Sequence, residues 1–259
     1  SFVQRNAGNP FFFFFSYNAP HTPLQATDNY LKRFMHIKNE KRRTYAAMVS
    51  AVDDGVGKLL DHLESLGIHE NTIVFFLSDN GGPYDKNGSN NNPLREGKGS
   101  LYEGGIRVPF AMQWPGRIPG SQVYDQPVIS LDIFATVADY AGAIPGKALD
   151  GVNIVPYILG EKEGKPHEQL FWRKYDSQSY AVRSGNTKLV KMNGTRDELY
   201  DLKEDISEQQ ELGLEEEQQR LIRAKNRWER MMVDPVFLGL LQNDEYNELH
   251  PHRFEIKPY

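Results

Sequence analysis

The order of hydrophobic and polar residues predicts two buried strands joined by a long helix. Residues 11–16 and 72–77 are short, continuous apolar runs rich in phenylalanine and β-branched residues, as in strands covered on both faces. Between them, apolar residues over 41–66 recur at spacings of three and four and predict an amphipathic helix that ends at Gly67. Strand, helix and strand in this order predict a right-handed βαβ unit whose strands are parallel.

Polar side chains follow each of these strands. His21 lies in NAPHTP after the first strand, and Asp79 and Asn80 lie in SDNGG after the second. Because the carboxyl ends of parallel strands meet at one edge, we expect these residues to face one crevice. A carboxylate and an amide oxygen suit Ca²⁺ or Mg²⁺. Taken alone, however, Asx-Gly-Gly is better explained as an ordinary turn.

The rest of the chain predicts a change of architecture near residue 165. A polar, glycine-rich segment over 83–105 is long enough to be functional or disordered. Residues 106–114 then return to the sheet, and Ser130 caps a helix through Tyr140. From 166–259, short strands around a Ser-Gly-Asn turn predict a small antiparallel sheet, followed by a helix to about Met231 and a tail without clear periodicity. The fold class is therefore α/β (1–165), with a smaller α+β domain (166–259).

Composition excludes several classes of protein. The 259 residues carry a net charge of −5 without a basic block, which argues against a nucleic-acid partner. No apolar run approaches the ~20 residues of a membrane span. The chain has no cysteine, so disulfides, thiolate metal sites and a cysteine nucleophile are absent. It starts without an initiator Met or a signal peptide, and we expect it to begin inside a larger protein.

Single candidate residues have ordinary explanations. A lone loop histidine such as His21 is more often packed or solvated than catalytic. Lys98 is flanked by Gly97 and Gly99, which would let backbone and ammonium approach an anion, yet a loop lysine is usually solvated. The EGG sequence at 103–105 is consistent with a tight turn. Arg95 and Arg107 are expected to be solvated, and His250 and His252 to belong to the tail.

Taken together, several segments of the chain indicate a protein family more specifically than any single residue does. NAPHTP, TIVFFLSDNGG, LREGKGSLYEGGIRVPFAMQWPG, VISLDIFATVADYAG and DELYDLKEDISEQ occur in this order over residues 2–210. The series resembles the type I sulfatases of the alkaline-phosphatase superfamily. The resemblance implies that Asp79 and Asn80 bind a divalent metal, usually Ca²⁺, with Mg²⁺ possible. It also implies that Lys98 holds the sulfate and its bridging oxygen, and that His21 contacts the ester and protonates the leaving alcohol.

The resemblance also shows what this chain lacks. In the family the nucleophile is a formylglycine made from the cysteine or serine of a C/S-x-P-x-R motif, and no such motif occurs here. The aspartates that complete the family's metal site are absent too. We therefore expect the C-terminal portion of a sulfatase, partnered by a missing N-terminal half. Ca²⁺ requires six to eight oxygens, so the isolated chain is expected to be inactive and to bind metal weakly. A natural pseudo-enzyme is the less economical explanation.

Two alternatives stay open. One is a phosphodiesterase or phosphonate monoester hydrolase of the same superfamily, and the other is a non-catalytic protein that binds an anion or carbohydrate near His21 and Lys98. By resemblance, the substrate is a sulfated carbohydrate and the location is periplasmic, extracellular or lysosomal. Sugar subsites are expected among the 83–95 loop, Trp172, Arg173 and the tail.

Overall fold

The structure is a computed structural model that describes residues 1–233 and residue 248, without the side chains of residues 84 and 85. The tail, with His250 and His252, lies outside the described residues. Contacts divide the chain into two compact units. The first contains residues 1–90, 108–125 and 155–162, and the second contains 91–107, 126–154 and the chain from 163 onward. The predicted domain boundary near residue 165 stays a prediction.

The chain contains both helices and strands, in agreement with the predicted α/β fold class. The helices are α1 Phe2–Asn6, α2 Asp28–Leu31, α3 Glu40–Ser65, α4 Tyr84–Asn87, α5 Glu103–Ile106, α6 Leu131–Tyr140, α7 Val155–Ile158 and α8 Glu215–Glu229. The strands are β1 Val74–Leu77, β2 Phe110–Gln113, β3 Leu170–Lys174, β4 Ser179–Ser184, β5 Thr187–Lys191 and β6 Glu198–Asp201.

Helix α3 confirms the predicted long helix of the first unit. The Asn39 side chain accepts a hydrogen bond from the Arg42 amide at 2.9 Å and begins the helix. At the other end, the amides of Gly67 and Ile68 donate to the carbonyls of Glu64 and Leu63, at 2.8 and 3.1 Å. These two bonds form a Schellman motif, and Gly67 adopts the left-handed φ of 68° that the motif requires.

The predicted parallel βαβ unit is wrong. Strand β1 forms at the predicted place, but it pairs antiparallel with β2, with Leu77 opposite Phe110. Among the described residues, 11–16 form no strand. The rings of Phe12, Phe13, Phe14 and Phe15 are exposed rather than buried, and Phe13 stacks on Phe15 at 5.4 Å. The prediction of a buried strand at 11–16 is therefore wrong, because strand pairing depends on a distant partner that the local pattern does not reveal.

The antiparallel sheet of the second unit is confirmed. Strands β3, β4, β5 and β6 pair in chain order, and the Ser-Gly-Asn turn joins β4 to β5. One face of the sheet packs Val182 and Leu189 against Leu221 of α8. The other face packs Ala181 and Val190 against Leu101 and Tyr102, which belong to the segment that follows Lys98. The sheet thus carries a helix on one face and the glycine-rich loop on the other.

Candidate functional site

The end of β1 holds Asp79 and Asn80 in a turn. The Ser78 amide donates to the Pro109 carbonyl at 3.2 Å, which continues the pairing of β1 and β2 by one residue. The Ser78 hydroxyl donates to the Asn80 carbonyl at 2.9 Å, and the Asn80 amide group donates to the Gly81 carbonyl at 3.2 Å. Asp79 is exposed, and its carboxylate makes no hydrogen bond or ion pair with any other described residue. The turn and a hard oxygen donor therefore coexist at this strand end.

The His21 ring is oriented by its neighbour. The His21 amide donates to the Asn18 carbonyl at 2.8 Å and closes a turn in NAPHTP. The ring nitrogen Nδ1 lies 2.7 Å from the Thr22 carbonyl oxygen. Because a carbonyl can only accept, Nδ1 carries the hydrogen in the neutral ring. Nε2 is then the acceptor nitrogen of the neutral ring. The imidazole is exposed and can reach a ligand.

Lys98 lies at the apex of a tight turn. The Ser100 amide donates to the Gly97 carbonyl at 3.0 Å, so Lys98 and Gly99 are the two central residues of a four-residue turn. Gly99 has φ of 92°, as the third residue of a type II turn requires, and glycine adopts this value without strain. The Lys98 side chain is exposed at the apex. The GKG sequence is therefore explained by the turn that presents the lysine.

The backbone of this turn is held from two sides. Lys174 at the end of β3 donates from Nζ to the Gly99 carbonyl at 2.7 Å. On the opposite side, the EGG segment packs so closely that a methyl group on Gly105 would lie 2.6 Å from the Gly97 carbonyl oxygen. The Gly104 amide donates to the Arg95 carbonyl at 2.8 Å. The second unit thus fixes the position of the turn that carries Lys98.

No complete metal site appears in the described part of the chain. No group of three or more His, Asp or Glu side chains that could hold a metal ion occurs among the described residues. His21, Asp79 and Asn80 belong to the first unit, whereas Lys98 belongs to the second. Their assignment to one shared site stays a prediction.

Comparison with known proteins identifies the family. The sulfatase family model matches residues 1–143, which is more than half of the chain. A model described as the C-terminal region of N-sulphoglucosamine sulphohydrolase matches residues 97–233. The chain belongs to the sulfatase family. Its α/β fold is that of solved sulfatases, and it corresponds to their C-terminal portion.

Individual relatives show how much of a sulfatase this chain represents. Mouse (Mus musculus) steryl-sulfatase is 36% identical over 179 residues, covering 66% of this chain and 28% of that protein. The N-acetylgalactosamine-6-sulfatase of Canis lupus familiaris is 37% identical over 162 residues, covering 61% and 30%. The crystal structure of Ps i-CgsB in complex with k-i-k-neocarrahexaose is 35% identical, with a TM-score of 0.86, covering 98% of this chain and 58% of that one. The match therefore spans less than a third of the steryl-sulfatase and less than a third of the N-acetylgalactosamine-6-sulfatase.

Sequence reasoning missed a buried ionic cluster under the Lys98 loop. Glu103, expected in an ordinary turn, is buried, and Lys188 and Glu208 are buried beside it. Lys188 Nζ lies 2.8 Å from an oxygen of each glutamate. Glu208 also accepts the Glu103 amide at 2.7 Å. Burial raises the pKa of Glu208, although the attraction of Lys188 opposes the shift. The sequence signal for this cluster is Lys188, which lies directly before the apolar pair Leu189 and Val190 in the strand TKLVK.

Arg95 is a second missed residue, because it is not the solvated arginine that the sequence suggests. Its guanidinium donates to the Tyr200 hydroxyl and to the Glu208 carbonyl, both at 2.9 Å. It also lies 3.7 Å from the centre of the Tyr102 ring. Burial works against ionisation of Glu198, but hydrogen bonds from both tyrosines and the charge of Arg95 hold the pKa of Glu198 below its usual value. Arg95 thus ties the start of the loop to the sheet.

Arg107 is exposed, as expected, and lies 3.7 Å from Glu103. Trp172, expected at a sugar subsite, is half-buried and packs against the buried cluster of Leu101 and Tyr102, and its role in a subsite stays a prediction.

Proposed function

We propose that this chain forms part of the active site of a sulfatase that removes sulfate from a sulfated carbohydrate. The observation that carries the proposal is the glycine turn that presents Lys98, fixed from both sides, in a chain of the sulfatase family. A fixed ammonium stabilises the negative charge that a sulfate ester carries and that grows on the leaving oxygen during hydrolysis. Lys98 therefore binds the sulfate and its bridging oxygen.

His21 acts in this proposal as the general acid. Its Nδ1 hydrogen is engaged by the Thr22 carbonyl, so the proton for the leaving alcohol comes from Nε2. A fixed ring orientation matters because proton transfer needs the donor within hydrogen-bond distance of the leaving oxygen.

Asp79 and Asn80 supply two ligands for Ca²⁺, or for Mg²⁺. The donor chemistry fits, because the exposed Asp79 carboxylate is not engaged by other described residues and both side chains offer hard oxygens. When bound, the metal polarises the sulfate oxygens as a Lewis acid. Two ligands do not fill a calcium site. We therefore propose that the other ligands and a formylglycine nucleophile come from sequence outside this chain, which has no C/S-x-P-x-R motif.

The substrate class and location follow from relatives. Ps i-CgsB was crystallised with a neocarrahexaose, and another relative is named an N-acetylgalactosamine-6-sulfatase. Both names support a sulfated carbohydrate as the substrate here. We propose a periplasmic, extracellular or lysosomal location on the same basis. Within the described residues, no helix is long and apolar enough to cross a membrane.

Parallel assays on sulfate and phosphate esters test the reaction class. The complete enzyme, with an N-terminal segment that contains the nucleophile motif, should hydrolyse 4-nitrocatechol sulfate faster than 4-nitrophenyl phosphate or its phenylphosphonate ester. Lys98→Ala should abolish most of this activity, since it removes a charge-stabilising group. Preference for a phosphorus ester would instead favour a phosphodiesterase or phosphonate hydrolase. Binding of sulfated sugar without turnover of any ester would favour a non-catalytic binding protein.

A further inference from the structure

A basic cavity lies at one end of the four-stranded sheet of the second unit. It has a volume of about 390 Å³ and is lined by the β3–β4 hairpin, the end of β5 and the last turns of α8. Arg173 on β3 lies opposite Tyr180 on β4, and Tyr180 lies opposite Lys191 on β5. Residues directly opposite one another share a sheet face. The three side chains therefore form one row across the sheet, beside Lys225 of α8.

The charge in this cavity is strongly unbalanced. Its lining residues include four that are cationic, Arg173, Lys174, Lys191 and Lys225, and one that is acidic, Glu229. Lys225 and Glu229 form an ion pair at 2.7 Å and neutralise each other.

The three other cations are not neutralised by any described residue. Lys174 and Arg173 donate to the neutral carbonyls of Gly99 and Val233. Lys191 makes no side-chain hydrogen bond or ion pair with the described part of the chain. Like charges around one concavity raise the local potential and favour an anion.

Aromatic rings complete the lining. The Tyr175 ring is 41% exposed, and the Arg173 guanidinium lies 5.4 Å from its centre. The Tyr180 ring lies 4.6 Å from the Lys225 ammonium. Aromatic surface with a few placed charges is typical of sites for small polar ligands. The combination suits an anionic sugar better than a bare ion, because a sugar ring offers an apolar C–H face as well as charge.

Lys174 connects this cavity to the Lys98 turn. It is a lining residue of the cavity at the end of β3, but it follows Arg173 directly, so its side chain leaves the other face of the sheet, where its ammonium donates to the Gly99 carbonyl, one residue after Lys98. We propose that the cavity is a second anionic subsite, which binds a sulfate or carboxylate group on a sugar unit other than the one that is cleaved. This inference rests on the proposed sulfatase function. It adds a specificity-determining role for Arg173 and Lys191, which would favour substrates with more than one charged group.

Calorimetric titration of the chain with three hexasaccharides tests the inference. The ligands are a sulfated neocarrahexaose without carboxylates, a hyaluronan hexasaccharide with carboxylates only, and a neutral agarohexaose. Arg173→Gln and Lys191→Gln should each weaken binding of the sulfated ligand about fivefold, the effect of losing one partly solvated charge contact. The matched control is Lys203→Gln, because Lys203 is an exposed lysine of the same unit, 3.6 Å from Glu204 and outside the cavity. The control should bind like the parent.

The outcomes separate the subsite from the reaction. If binding of the hyaluronan hexasaccharide weakens in the same two variants, the cavity binds carboxylates as well as sulfate. If the chain does not bind hyaluronan, the cavity binds sulfate alone. Equal losses in all three variants, or neutral agarohexaose binding as tightly as the sulfated ligand, would overturn the subsite. Because titration needs no turnover, an enzyme that hydrolyses no sulfate ester would refute the proposed function without changing these results. Lys191→Gln removes no observed hydrogen bond, and a circular dichroism spectrum matching the parent confirms that the variant folds.

Discussion

The buried ionic cluster predicts that Lys188→Met destabilises the second unit. The Lys188 side chain is fully buried and lies 2.8 Å from both Glu103 and Glu208, which are also buried. Among the described residues, removing it leaves Glu103 with Arg107 and Arg183 alone, at 3.7 and 3.8 Å, and leaves Glu208 without a cation. Removing one partner of a buried ion pair costs about 3–5 kcal/mol, because the remaining charge is desolvated without compensation.

The pH dependence of this loss has a definite sign. Burial already raises the pKa of Glu208 in the parent. A carboxyl whose pKa is raised on folding favours the folded state at low pH, and stability falls as the pH rises through the folded pKa. Without Lys188 this pKa should rise further, because the opposing attraction is gone. The destabilisation should therefore be larger at pH 8 than at pH 5.

Urea unfolding followed by tryptophan fluorescence measures both effects. Trp172 packs against the buried cluster of Leu101 and Tyr102 and reports on this unit. Lys191→Met on the same strand is the matched control. It breaks no ion pair among the described residues, so it should change the free energy of unfolding by less than about 0.5 kcal/mol. A loss below about 1 kcal/mol for Lys188→Met, or a loss independent of pH, would refute the reasoning.

Three further predictions concern the residues around the site. Gly105→Ala should displace the Lys98 turn and destabilise the protein by about 1–3 kcal/mol in thermal unfolding, because the added methyl group meets backbone atoms. In the control Gly213→Ala, the added methyl group meets nothing within 4 Å, so the stability should stay nearly unchanged. Asp79→Asn should weaken Ca²⁺ binding to the complete enzyme by about tenfold or more, measured by calorimetry, and exposed Asp61→Asn should not. Arg95→Met should lower stability by roughly 2 kcal/mol in urea unfolding, because partly buried acceptors lose a charged donor; an unchanged midpoint would contradict this.

Elements with a strong local period were predicted correctly. Helix α3 and the antiparallel sheet of the second unit form where the sequence places them, because helix caps, periodicity and two-residue turns are local. The pairing of β1 was predicted wrongly. Residues 78–109 separate β1 from its partner β2, beyond the range in which the sequence pattern carries information about pairing. The same limit explains why 11–16 do not form the predicted strand.

The residues of the candidate site likewise divide into those that the sequence reveals and those that it does not. Lys98 could be found because its flanking glycines already indicate a constrained turn, and Asp79 because it follows a strand directly. The residues that hold the turn could not be found from the sequence. Lys174, Lys188 and Glu208 lie 75 or more residues away from their contacts in the loop. From the sequence alone, Lys188 of β5 would be taken as a surface lysine, because its buried carboxylate partners are distant in the chain.

Sulfate release is the most direct test of the central claim, that this chain supplies part of a sulfatase active site and needs sequence outside it for turnover. The chain alone and the product of the coding sequence extended upstream of Ser1 would be assayed side by side with 4-nitrocatechol sulfate and a sulfated hexasaccharide. We predict release only from the extended protein, with loss of that activity in its Lys98→Ala variant. Turnover by the chain alone, or activity that survives Lys98→Ala, would contradict the account.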